Sequence, residues 1–437
     1  MMPHVVANPG GTLTGSMDDD PAAVKAAYRF FDCPDVTHDA VLAPHRKGVA
    51  DAIDRPGTHL LIEDTTSITP ASADAAGLGP VRNDGRTTGF WLHSTLAVRI
   101  DFTGADSDDN TVEVIGLLAQ HAWVRKDQKK PKRESKESRL SRVRESARWA
   151  VSMAPLRASA SARRIYVADR GSDIREVFGR CRDAGVSHVI RVARDRALAD
   201  EAGRVRGAVA AMPVKDIRTV ELPRSQGRAG RTAKLELRCG GLELNSPFRP
   251  GQPAGSTGLA VNFVSVREVD APPGVEPVEW LLMTDLPVES PTDAWRIVAI
   301  YKRRWLIEEF HKGLKTGAGI ERSQLSTASR LMAWCAVLSV VATWMPRRKL
   351  NCALPDQPPL KPGEADAELP ALLEQRRGKP KDGWTAKTLT HAIARAGGFL
   401  GRKSDGNPGW LTLWRGWTRL QHQLLGYRLA TQSTRCG

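Results

Sequence analysis

The sequence predicts an α/β protein: a mixed sheet flanked by helices, interrupted by a β-rich insertion and bracketed by helical regions at both ends. Three observations carry this. Over residues 58–191 short apolar runs that end on acids, HLLIED and RRIYVAD, are interleaved with longer strands and one helix-like segment. Over 192–285 the chain turns to short segments with the period-two alternation of antiparallel strands, punctuated by Gly and Pro. Over 286–350 it returns to long apolar helices.

The elements follow in order. The first 57 residues read as short helices. Asp18-Asp19-Asp20 caps the first, AAVKAAYRFF, with Pro21 in its opening turn and Pro34 as its breaker; a second spans about Asp39 to Ile53 and stops at Pro56-Gly57. HLLIED is a short strand, and FWLHSTLAVRI and TVEVIGLLAQHAWV are two more around a polar turn. After RRIYVAD come a helix, SDIREVFGRCRDAG, and the strand SHVIRVARD. TVELPR, AKLELRC, GLAVNFVSVREV and VEWLLMTDLP make up the β-rich stretch. Ser290-Pro291 then starts one long helix to Gly317, another helix covers about 327–349, a Pro-rich linker fills 351–383, and a Trp-rich helical block runs from 384 to 437.

At 437 residues the chain is long enough for two to four domains. It carries 64 Lys and Arg against 49 Asp and Glu, a net charge of +15, which favours a polyanionic partner without choosing among DNA, RNA and anionic lipid. The basic run 125–148 is either a solvated linker or part of that contact. The six cysteines stand singly, with no zinc spacing and no disulfide framework. The N-terminus lacks the pattern of a signal peptide, and the most apolar stretch, Leu331 to Met345, is shorter than a bilayer span. A soluble cytoplasmic protein is expected, bound to the nucleoid when on DNA and not to a membrane.

Asp64 and Asp169 each end an apolar run, so both are expected at the C-terminal ends of buried strands, where open α/β sheets place their sites. One such Asp is more often a turn residue than a catalyst. Glu308 lies in the long helix. At about 100° per residue, Tyr301, Arg304, Glu308 and Lys315 fall on one narrow stripe. Two readings of that stripe stay open: a solvated face with an Arg304–Glu308 ion pair, or a surface that grips phosphate through Arg and Lys. Three acids from separate segments suit phosphodiester chemistry, because hard oxygen ligands select Mg²⁺ or Mn²⁺ and a metal pair stabilises the attacking and leaving oxygens.

The segment IYKRRWLIEEFHKGLKTGAG resembles the YREK motif of the DDE transposases of the insertion-sequence-four family, with Tyr301, Arg304, Glu308 and Lys315 at the motif's gaps. IEDTTSI and YVADRGSDI are similar to the family's segments around the first and second Asp. AYRFFDCPDVT, LGPVRNDGRTTGFWLHS, VEWLLMTDLPV and AIARAGGFLGRKSDGNPGW match further blocks in family order. The resemblance runs over nearly the whole chain from about Ala22.

It implies an RNase H-like catalytic domain in two parts, 58–191 and 286–350, split by the β insertion, with a C-terminal dimerisation region. It implies that Asp64, Asp169 and Glu308 form the catalytic triad and hold two Mg²⁺ or Mn²⁺ ions, while Tyr301, Arg304 and Lys315 hold phosphates. Trp280 matches the aromatic on which a flipped base stacks, although a strand Trp is more commonly core; Arg170 and Arg191 match positions near that base. The implied partners are double-stranded DNA, as transposon end and target, and a second copy of the chain. The implied reaction is nicking, hairpin formation, hairpin opening and strand transfer. Where relatives carry a basic helical segment upstream, this chain has the Gly-rich, nearly uncharged MMPHVVANPGGTLTGS, so a shortened, non-catalytic inhibitor acting through dimerisation is the alternative expectation. A different RNase H-like nuclease, such as a resolvase, is a third; the helical motif and the β insertion argue against it.

Overall fold

The computed structural model describes residues 2–8, 10–17, 20–82, 86–104, 110–125, 149, 159, 161–199, 203–222, 230–245, 258–352, 359–360, 368–381, 383–402 and 405–433. Most of the basic run, 126–148, lies outside them.

Three helices open the chain: α1 (Met2–Ala7), α2 (Pro21–Asp32) and α3 (His38–Ile53). Asp20 caps α2 by accepting the Ala22 N–H at 2.8 Å, with Pro21 at the first position, where its missing N–H costs nothing. The described part of the MMPHVVANPGGTLTGS segment is packed: Val5 and Leu13, with Met17 just after it, are buried, and the Val6 carbonyl accepts the Trp417 indole N–H at 3.1 Å.

Strands β1 (Gly57–Ile68), β2 (Gly79–Pro80), β3 (Thr88–Phe102), β4 (Asn110–Trp123), β5 (Ala162–Ala168) and β6 (Ser187–Arg191) include helix α4 (Arg175–Asp183) between the last two. Helix α5 (Val205–Ala211), which the alternating pattern does not announce, precedes β7 (Asp216–Leu222), β8 (Arg231–Leu244), β9 (Leu259–Val269) and β10 (Glu279–Thr284). All ten strands form one mixed sheet in the order β2-β3-β1-β5-β6-β10-β9-β8-β7, with β4 also on β3. β1, β5 and β6 are parallel neighbours at its centre, and every other pairing is antiparallel. The strands of the β-rich stretch therefore lengthen the central sheet through β10 rather than forming a layer of their own.

Alternation along the strands feeds two apolar layers. Leu60, Ile62, Ile165 and Val167 face one side, with the helices of residues 291–342; Leu61, Tyr166 and Ala168 face the other, with α3, α4 and α5. The expected long helix from Ser290 is divided into α6 (Pro291–Lys302), α7 (Trp305–Lys312) and a π-helical turn, Gly313–Gly317. The expected helix at 327–349 is likewise two, α8 (Ala328–Ala342) and α9 (Trp344–Asn351). By length and composition Ala328–Asn351 could cross a membrane, but 72% of its most apolar window is buried in this fold. Part of the expected Pro-rich linker is helical: α10 (Glu368–Arg377) buries Leu369, Leu372 and Leu373. Helices α11 (Ala386–Ala396) and α12 (Trp410–Ser433) end the chain.

Trp334 on α8 is fully buried, its ring edge-on to Phe31 of α2 at 5.8 Å. Trp334→Ala is expected to cost about 4 kcal/mol of stability, read as a lower urea midpoint at unchanged slope.

Candidate active site

The parallel pairing of β1 with β5 ends at Glu63 opposite Ala168. Asp64 and Asp169 are the next residues of the two chains, so they stand side by side. Alternation puts both on the face of Leu60, Ile62, Ile165 and Val167, which α7 covers through Leu306, Ile307 and Phe310. Glu63 points the opposite way, is 1% exposed, and accepts from Thr95 Oγ1 at 2.8 Å with His93 Nε2 at 3.1 Å. Two adjacent acids in one strand thus have separate surroundings. Asp64 is not at the end of its strand, as its acid-terminated run suggests: β1 continues to Ile68 because β3 keeps pairing there after β5 has ended.

Asp169 opens a single 3₁₀ turn, Arg170–Ser172, and its Oδ1 accepts the Gly171 N–H at 2.7 Å. Arg170 is exposed on that turn.

Glu308 lies on α7 within electrostatic reach of Asp64. The helix arrives irregularly: the N–H groups of Arg303, Arg304, Leu306 and Ile307 bond the carbonyls three residues back, and the Ala318 N–H bonds Gly313, five back. A 3₁₀ turn eclipses side chains three apart, so Tyr301 and Arg304 stack, with the guanidinium 6.0 Å from the ring centre. The uniform-helix stripe does not survive these two changes of pitch. Tyr301 is 4% exposed and belongs to the core, and Trp280 on β10 meets it edge-on at 5.1 Å. Arg304 is ion-paired with Glu308. Lys315, on the π-helical turn, lies 3.9 Å from Glu321, and burial holds its ammonium below the ordinary lysine value. Arg191 ends β6 and donates to the Glu279 carbonyl at 2.8 Å.

Electrostatics ties the group together. The Asp64 carboxyl is pushed up to about 6, first by burial and then by the charges of Asp169 and Glu308, against the Thr65 N–H and Arg304. Burial also raises Tyr301, which feels Arg304, Arg191 and Asp169. Asp64, Asp169, Glu308, Arg304, Tyr301 and Arg191 therefore share one field, with Trp280 at its edge.

Among the described residues no three His, Cys, Asp or Glu side chains stand close enough to hold one ion: Glu308 is engaged by Arg304 and Asp169 by Gly171. The donor chemistry nevertheless fits a hard divalent cation: Asp64 is raised chiefly by burial, with smaller contributions from the negative charges of Asp169 and Glu308, and a cation would offset both. One neighbour escapes sequence reasoning. His311, 6% exposed, has Nδ1 4.0 Å from Asp64 Oδ2. Its i,i+3 spacing from Glu308 was the available signal.

A large mixed sheet flanked by helices, with paired strand acids near a helical glutamate, is the frame of RNase H-like DDE enzymes. Residues 140–344 match the family model described as transposase DDE domain, and residues 360–437 match that of the transposase Tn5 dimerisation domain. Together the matches span well over half of the chain, which belongs to the DDE transposases that carry the Tn5-type dimerisation domain. Asp169 and Glu308 fall inside the first match; Asp64 precedes it.

Proposed function

We propose that the chain is a cut-and-paste transposase that cleaves transposon ends by nicking, hairpin formation and hairpin opening, then joins them to target DNA. One observation carries the proposal: Asp64 and Asp169 follow directly on the parallel pairing of β1 with β5, on the sheet face covered by α7, the helix that bears Glu308. Asp64, Asp169 and Glu308 would hold a pair of Mg²⁺ or Mn²⁺ ions, which supply positive charge at the attacking and leaving oxygens of the phosphodiester. Arg304 neutralises Glu308 until the carboxylate is recruited, then offers its fork to a phosphate. Lys315 gives a second, point-like phosphate contact. Tyr301 packs against Trp280, whose half-buried indole would receive an unstacked base, and Arg191, bonded to the neighbouring Glu279 carbonyl, and Arg170 would contact the DNA there. Stacking of this kind is worth about 1–3 kcal/mol per base. The net charge of +15 suits a DNA partner, and the C-terminal helices join two copies. Such a protein works in the bacterial cytoplasm, on the nucleoid.

The test uses the full chain, Mg²⁺ or Mn²⁺, and DNA bearing the element's own ends. Nicked and hairpin-ended products are expected, and Glu308→Gln should lower their rate about 10³-fold, the several kcal/mol that a lost metal ligand removes, with DNA binding changed less than about threefold. Binding of DNA or of a partner transposase with no cleavage by the wild type would sink the proposal in favour of a non-catalytic inhibitor.

A further inference from the structure

A line of buried polar side chains leads to Asp64 from the start of α3. His38 Nε2 lies 3.1 Å from Gln120 Oε1, Gln120 Nε2 donates to Ser94 Oγ at 3.0 Å, and Ser94 Oγ lies 3.4 Å from His311 Nε2. The other ring nitrogen, His311 Nδ1, faces Asp64 Oδ2 at 4.0 Å. None of the four residues is more than one-tenth exposed. The sheet makes the line: Ser94 is the register partner of Asp64 on β3 and of Gln120 on β4, so the three side chains share a face.

Gln120 Oε1 can only accept from His38 and Gln120 Nε2 donates to Ser94, so the open choice lies at Ser94, whose hydroxyl can donate to His311 Nε2 or accept from it. In one, every N–H and O–H points toward Asp64: His38 donates to Gln120, Gln120 to Ser94, Ser94 to His311 Nε2, and His311 Nδ1–H faces the carboxylate. In the other, Ser94 accepts from both Gln120 and His311 Nε2–H, and the His311 Nδ1 lone pair opposes the carboxylate oxygen. The Asp64 end decides between them. His38 Nδ1 lies 3.9 Å from Asp39, but Asp39 is 65% exposed and already paired with Arg46, so water screens that end. Asp64 is 20% exposed against an 8% exposed His311, where a lone pair facing a carboxylate costs far more. The ring is buried, which favours its neutral form and leaves it one proton to place.

We propose that His311 is a positioning residue for Asp64, held by Ser94 and Gln120 as the Nδ1–H form and aimed at Oδ2 while the Thr65 N–H holds Oδ1 at 2.8 Å. With the Thr65 N–H on Oδ1 and a His311 hydrogen bond formed on Oδ2, the carboxylate would be held in one orientation. The gap is about 1 Å beyond hydrogen-bond length, which a small turn of the carboxylate closes. The proposal rests on the assignment of Asp64 as a metal-holding acid, by analogy with outer residues that orient metal ligands.

Two measurements on the full chain test it. With ¹⁵N-labelled histidine, the His311 resonances, identified by their loss in His311→Asn, should show a protonated Nδ1 and a bare Nε2, and Gln120→Leu should mix the two forms. A protonated Nε2 in the wild type overturns the proposal without reference to catalysis. Mn²⁺ titration is the second. His311→Asn, whose amide N–H replaces Nδ1–H, should bind within about threefold of wild type, while His311→Gln, which reaches only the Nε2 position, should bind about 10–100-fold more weakly. If His311→Gln binds Mn²⁺ as wild type does while Asp64→Asn does not, the positioning role fails and the assignment of Asp64 stands. Unchanged Mn²⁺ binding by Asp64→Asn removes that assignment, and the positioning role with it.

Discussion

Asp64→Asn is expected to abolish strand cleavage and, in metal-free protein, to stabilise the fold at neutral pH. The Asp64 carboxyl is raised from about 3.9 to about 6 by burial and by Asp169 and Glu308. A carboxyl raised on folding binds more protons in the native than in the unfolded state between those values. Its contribution is therefore most favourable below about pH 4 and is lost as the pH climbs through about 6. At pH 7.5 a rise of this size costs the folded state about 3 kcal/mol. One amide N–H facing a donor, Thr65 N–H or His311 Nδ1–H, returns about 1 kcal/mol. A net gain of about 2 kcal/mol should appear in urea denaturation at pH 7.5 without metal and vanish near pH 4. Cleavage should fall by about 10³-fold or more. A variant that loses activity with no gain in stability would show that the Asp64 carboxylate is not destabilised by its burial and its acidic neighbours, against the raised carboxyl on which the expectation rests.

The second large effect is expected at the crossing of α11 and α12. A Cβ on Gly416 would meet the Ile393 carbonyl oxygen at 1.8 Å, and one on Gly397 would meet the Thr412 carbonyl at 1.9 Å. Backbone atoms cannot rotate aside as a side chain can, so the helices would have to part. Parting them loosens Leu389, Ile393, Leu413, Trp417 and Leu420, all buried in this seam. Gly416→Val should cost about 3 kcal/mol and free this block from the core. Since 360–437 match the dimerisation domain, sedimentation should register loss of the dimer while the sheet keeps its far-UV signal. Dimers of normal affinity would mean that the crossing is not needed to present the interface.

Most elements were legible because they are governed locally. Asp20-Pro21 starts α2 and Pro34 follows its end; apolar runs around a polar turn mark β3 and β4, and period-two alternation marks the strands from β7 to β10. The family was legible from one helix, because the YREK gaps are long and specific. The misread features are non-local. β1 outruns its acid-terminated run because β3 pairs on; the Ser290 helix changes pitch where Tyr301 sinks into the core; α10 appears inside a Pro-rich stretch because three leucines find an apolar floor.

By itself, then, the sequence determined which residue types are present, their spacing and the strand faces, since these follow from covalent order and the fixed periods of helix and strand. The tertiary structure alone decided that the parallel pairing of β1 and β5 stops one residue before the two aspartates, that Glu63 turns away, and that His311 and the charge of Glu308 come near Asp64. Those outcomes depend on which strand lies next to which and on the field several buried charges make together, neither of which is a property of any one segment.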